Sequence, residues 1–225
     1  MVAPGDILFY LPNAQYKFGH IETVLGTFTD SGDHFISKTT TLKSSNSFLP
    51  TMFGEMHVKF KMNRNLLNPT IYKLKYKNPL IRATAAFLSK LFLENKLIEY
   101  GVHSIISKYL TKFISGPCIE TRQEELIRRV YKTLEKIGTG EKVSTVCSGF
   151  TILMYELAFL IQGEEKNLVT DMPFDAKGCS PIIFFKHIDT LKEIWEVTPF
   201  RYTAFLTYPV KEPSILSLMN TTTTT

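Results

Sequence analysis

The chain has 225 residues, 44% hydrophobic, 12% aromatic and 21% charged, which is ordinary for a single domain that buries a substantial core. Twenty-six basic against twenty-one acidic residues give a formal charge of +5, a mild excess that a solvated surface absorbs and that names no anionic partner. Three cysteines, Cys118, Cys147 and Cys179, show neither CxxC nor Cys/His spacing, which argues against a disulfide framework and against a zinc site.

Taken from the N-terminus, Asp6–Tyr10, His20–Leu25 and His34–Thr40 read as three strands of a meander. Gly5-Asp6, Gly19 and the run Asp30-Ser31-Gly32-Asp33 supply the punctuation between them. Met56–Met62 and Thr70–Tyr76 add two more strands. The second of these alternates Ile71, Lys73 and Lys75 with Tyr72, Leu74 and Tyr76, giving a largely basic face and an apolar face.

Between Leu80 and Ser115 the apolar residues recur at helical intervals, interrupted near Glu94–Lys96 and Gly101, which predicts two amphipathic helices. Thr121 with Glu124 has the spacing of a capping box for a helix running to about Ile137, with Gly138 as its stop. Residues 80 to 137 therefore read as a helical insertion in a single domain spanning 1–220. Cys147-Ser148-Gly149 opens a strongly apolar helix to Ile161. A short segment from Ser180-Pro181 to Phe185 and closing strands or an ordered tail at Ile194–Val197 and Tyr202–Tyr208 complete the chain, before a low-complexity tail at 221–225.

A thiol becomes nucleophilic when its thiolate is stabilised, and a helix start offers unsatisfied N–H groups and the positive end of the dipole. Cys147 has that setting, and the same amides could hold an oxyanion. His20, entering a strand after Gly19, is the candidate base. Cys179, in a loop that suggests no base, and Cys118 read as structural, and His57, His103 and His187 lack metal-ligand spacing.

"PGDILFY" (Pro4–Tyr10) followed by "GHIETVLG" (Gly19–Gly26) resembles the strand signature of the NlpC-type cysteine peptidases, a papain-like superfamily. In its permuted, YiiX-like branch the histidine strand precedes the cysteine helix, as here, and lecithin retinol acyltransferase relatives share that order. Val146-Cys147-Ser148-Gly149-Phe150 is similar to that branch's cysteine motif by identity at Cys147 and Ser148. The resemblance covers about residues 4 to 40 and 143 to 185. It implies an α+β, papain-like antiparallel sheet packed on a cysteine-bearing helix, with Cys147 and His20 as a catalytic pair. The family's third polar residue, which orients the imidazole, falls at Ser37 when Phe35-Ile36 is matched to the family pattern. Glu22 is the alternative, because residues two apart on a strand point the same way.

The implied activity is that of a thiol hydrolase, an amidase or peptidase working by acyl transfer on a peptide or amide substrate without a cofactor. A lipid acyltransferase or lipase with the same pair, and a catalytically inactive binding module, are the alternatives. No glycine-rich phosphate loop is present, and no nucleic-acid partner is expected. The strip Tyr72–Lys77, with Lys90, Lys96, Lys108 and Lys112, leaves peripheral contact with an anionic membrane open. Met1–Asp6 lacks the basic and apolar regions of a signal peptide. Phe150–Ile161, interrupted by Glu156, falls short of the roughly 20 apolar residues a bilayer span needs. The expected location is the cytoplasm, or secretion without a cleaved signal.

Overall fold

The fold is described from a computed structural model covering residues 3–12, 19–27, 34–41, 53–61, 71–101, 119–141, 143–176 and 179–200, with backbone alone at 27, 34–41, 53–61 and 100–101. Eight strands, β1 (Ile7–Tyr10), β2 (His20–Thr27), β3 (His34–Thr41), β4 (Phe53–Lys61), β5 (Ile71–Tyr76), β6 (Ile98–Gly101), β7 (Val143–Thr145) and β8 (Trp195–Phe200), form one sheet. Their spatial order is β7-β6-β4-β3-β2-β1-β5-β8. Among the described residues five helices accompany it: α1 (Pro79–Glu94), α2 (Gln123–Gly138), α3 (Cys147–Ile161), α4 (Glu165–Asp171) and α5 (Pro181–Ile188). The class is α+β.

The first five strands fall where alternation and turn residues put them, and all the pairs they make with one another are antiparallel. β1 lies between β2 and β5 and is buried along its whole length. Ile7 and Phe9 point into the main core, while Leu8 and Tyr10 join a second cluster with Val24 and Ile71 on the opposite face. That split follows the two-residue repeat of a strand, so a sequence of four apolar residues serves both sides of the sheet.

The main core is built around α3, in which every residue from Cys147 to Phe159 is buried. A helix apolar on all sides has no solvent face to spare and sits at the centre of its domain. It packs against α1, β2 and α5. α1 begins at Pro79, with Asn78 Oδ1 accepting from the N–H groups of Leu80 (3.0 Å) and Ile81 (3.4 Å). α5 repeats the device with Ser180 and Pro181. Proline costs nothing in a first turn whose N–H groups have no helical partner, and the cap side chain satisfies what remains.

Gly5 and Asp6 tie the start of β1 to both central helices. Gly5 has φ +84°, and a Cβ there would strike the Arg82 carbonyl on α1. Asp6 Oδ1 accepts from Arg82 Nη1 at 2.6 Å, and the Tyr155 hydroxyl of α3 donates to the Gly5 carbonyl.

Three expectations are corrected. Ile98–Gly101, read as part of a second amphipathic helix, is β6, paired with β4 and in parallel with β7. Residues 80–137 are therefore not helical throughout, and α1 lies against α3 and β2 in the core. Four residues are too few to separate strand from helix by periodicity, and pairing with β4 and β7 decides the case. The Thr121–Glu124 capping box does not form. Arg122 is the N-cap of α2 without a side-chain cap bond, one residue beyond the expected cap, and its N (3.1 Å) and Nε (3.0 Å) donate to Glu120. β7 and α4 were not anticipated. Residues 102–118 and the strand expected at Tyr202–Tyr208 lie outside the described residues. No helix among the described residues is long and apolar enough to cross a membrane.

Candidate active site

Cys147 is the first residue of α3. Val146 before it is extended (φ −111°, ψ 172°), and no side chain caps the helix, so the first amides are open to whatever charge lies there. The next two residues hold this start in place. Ser148 Oγ donates to the Cys179 carbonyl at 2.5 Å. A Cβ at Gly149 would collide with the Ala176 carbonyl and with Thr145 Oγ1. Each residue of Cys147-Ser148-Gly149 thus has its own reason: a sulfur at the tip, a hydroxyl that ties down the loop, and a missing side chain that lets the loop backbone close in.

His20 opens β2 directly after Gly19, whose φ of +76° suits glycine. Cys147 and His20 are each 7% exposed, and the thiol and imidazole are hydrogen-bonded to one another. Burial alone would raise the thiol. The His20 charge, that hydrogen bond and the backbone N–H groups of Ile21 and Ser148 overcome it and hold Cys147 below its ordinary value. Two residues 127 positions apart are therefore brought together, with His20 favouring ionisation of the Cys147 thiol.

Of the two candidates for the third position, Glu22 is beside the ring. Its Oε1 is 3.8 Å from His20 Nε2, and the carboxylate is buried, which rules out a surface role. Glu22 Oε2 accepts from the Tyr10 hydroxyl, and the Tyr10 and His20 rings lie 5.7 Å apart between centroids. Ser37 is in β3 opposite Val58 of β4. Its side chain, like those of His34 and His57, lies outside the described residues, as do Cys118 and His103. Tyr10 was read only as a strand residue. The signal that marks it is the phenol on an otherwise apolar strand, across the sheet from a carboxylate that also needs a partner.

The remaining candidates sit elsewhere. Cys179 is buried, with Sγ 3.6 Å from the Ser180 carbonyl. His187 is on α5 against Phe174, its pKa lowered by burial. On β5, Lys73 and Lys75 meet Glu196 of β8 at 3.7 and 3.0 Å, which offsets the basic face expected there. Among the described residues no group of three His, Cys, Asp or Glu side chains is placed to hold a metal ion.

No protein-family model, no curated protein and no solved structure matches the chain.

Proposed function

We propose that the chain is a cysteine-dependent hydrolase of permuted, NlpC-type papain-like architecture, cleaving an amide bond by acyl transfer. The observation that carries this reading is the Cys147 thiol held below its ordinary value by His20 despite its burial. A structural cysteine in an apolar helix start has no such support and is raised.

In the proposed reaction the Cys147 thiolate attacks the substrate carbonyl carbon, forming the C–S bond and moving an electron pair onto the oxygen. The uncapped amides at the start of α3 would receive that oxyanion, an interaction for which a single donor is worth about 3 kcal/mol. The His20 imidazolium gives its proton to the departing nitrogen as the C–N bond breaks. A water, deprotonated by the now neutral His20, attacks the thioester, releases the acid and restores the thiolate. Glu22, whose Oε1 is 3.8 Å from Nε2, orients the imidazole for these transfers.

A thiol-directed acyl probe on the whole chain tests the reading. Cys147 is expected to label at neutral pH, with labelling abolished by Cys147→Ala and lost on His20→Ala. A Cys147 that stays inert in the folded wild type would leave a binding module and no enzyme.

A further inference from the structure

We infer that Tyr10 is a positioning residue for the Cys147–His20 pair, acting on it through Glu22. The inference rests on the thiol-hydrolase reading above and adds to it a side chain on a third element.

The register of β1 on β2 carries the argument. Tyr10 is directly opposite His20, and Leu8 is opposite Glu22. Side chains alternate along a strand, so Tyr10, His20 and Glu22 share one face, with the phenol of β1 diagonal to the carboxylate of β2. The Tyr10 hydroxyl donates to Glu22 Oε2, and the other oxygen, Oε1, faces His20 Nε2 at 3.8 Å. All three side chains are buried, Tyr10 to 2% exposure.

A glutamate has three side-chain torsions, and nothing in the strand backbone alone aims its carboxylate at the imidazole. A donor bound to one oxygen fixes the plane and leaves the second oxygen pointed at the ring. Without that anchor the carboxylate is free to turn away from the ring, and the support that His20 gives the Cys147 thiol weakens.

The other titratable groups around this face are few among the described residues. Cys147 comes from α3. Lys73 of β5 lies in the same cross-strand row as Leu8 and Glu22, two strands from the carboxylate, with its ammonium 3.7 Å from Glu196 Oε1. The side chains of β3, on the other flank of β2, are outside the described residues.

The test is the pH profile of Cys147 alkylation by iodoacetamide, measured on the full chain as wild type, Tyr10→Phe, Glu22→Gln and the double variant, with a melting curve for each. Tyr10→Phe is expected to move the midpoint up by about one pH unit and to cut the neutral-pH rate about tenfold. The double variant is expected to behave as Glu22→Gln alone, since Tyr10 acts only through that carboxylate. A merely structural tyrosine would lower the melting temperature and leave the midpoint unmoved. An unmoved midpoint, or a Tyr10→Phe shift that persists on the Glu22→Gln background, overturns the inference.

A second readout needs no variant. The downfield proton resonance of the Tyr10–Glu22 hydrogen bond in the wild type should shift when Cys147 is alkylated, and a resonance indifferent to alkylation overturns the coupling. The two readings fail separately. An ordinary wild-type thiol profile removes both, whereas a depressed wild-type midpoint that Tyr10→Phe does not change removes Tyr10 alone.

Discussion

Thr23 Oγ1 lies 3.0 Å from Thr151 Oγ1, joining β2 to α3 across 128 positions of sequence. Thr23 is three residues beyond His20 and Thr151 four beyond Cys147, so the bond closes the seam between the two elements one turn away from the pair they carry. Removing it touches neither reacting group. Thr151→Val is expected to cost about 1 kcal/mol of stability and, by loosening the seam, to slow Cys147 alkylation severalfold at neutral pH. Urea titration alongside the labelling rate checks this. A variant as reactive as the wild type would show that the seam does not set the approach of sulfur to imidazole.

The start of α3 tolerates no added methyl group at its third residue. Gly149→Ala must displace both the Ala176 carbonyl and the Thr145 side chain, and strain of this kind costs about 1–3 kcal/mol. Because Ser148 anchors the same loop through the Cys179 carbonyl, the displacement is transmitted to the amides beside Cys147. The variant is expected to melt lower and to label poorly, while Gly138→Ala, where an added Cβ meets nothing, serves as the neutral control. Equal behaviour of the two would remove the steric account.

The Asp6–Arg82 ion pair sits where β1 meets α1, with 1% and 10% of the side chains exposed. Breaking a buried pair by removing one member strands the other charge, at a cost of about 3–5 kcal/mol. Asp6→Asn and Arg82→Met are each expected to destabilise strongly, and the double variant less than the sum of the two. Chemical denaturation of the three proteins decides it, and strictly additive losses would mean that the two charges do not support one another.

These features differ in how openly the sequence carries them. The meander, the apolar helix to Ile161 and the cysteine at its tip depend on short-range patterns: turn residues, alternation and a hydrophobic run. β6 and β7 are only four and three residues long, and their pairing partners come from distant parts of the chain, so no local period announces them. Thr121 and Glu124 have the right spacing for a cap, yet the helix starts one residue later, with Arg122 at the cap position and its N–H bonded to Glu120. At the site, Cys147 and His20 were legible because their residue types are chemically rare and their settings local. Glu22 was visible as one of two options through strand alternation. Tyr10 was not singled out, since an aromatic residue in a strand reads as core until the register places a carboxylate beside it.

Glu156 is buried in the middle of α3, and its pKa is raised well above the carboxylate range. Burial is the main cause, the Asp175 charge adds to it, and Arg129 opposes it. The folded state therefore prefers the protonated acid, while the unfolded chain ionises at the ordinary value near 4.3. A raised folded pKa means that the associated stability is complete below that ordinary value and is lost as pH rises toward the folded pKa. Each pH unit in that interval costs about 1.4 kcal/mol. Glu156→Gln keeps the shape of the protonated acid and cannot ionise in either state. It should match the wild type near pH 4 and become progressively more stable than it from about pH 5 upward. Melting temperatures of the two proteins across that range test the sign directly. A gain that is the same at every pH would be a packing effect, and a variant less stable at neutral pH would mean that Glu156 is held in the fold as a carboxylate.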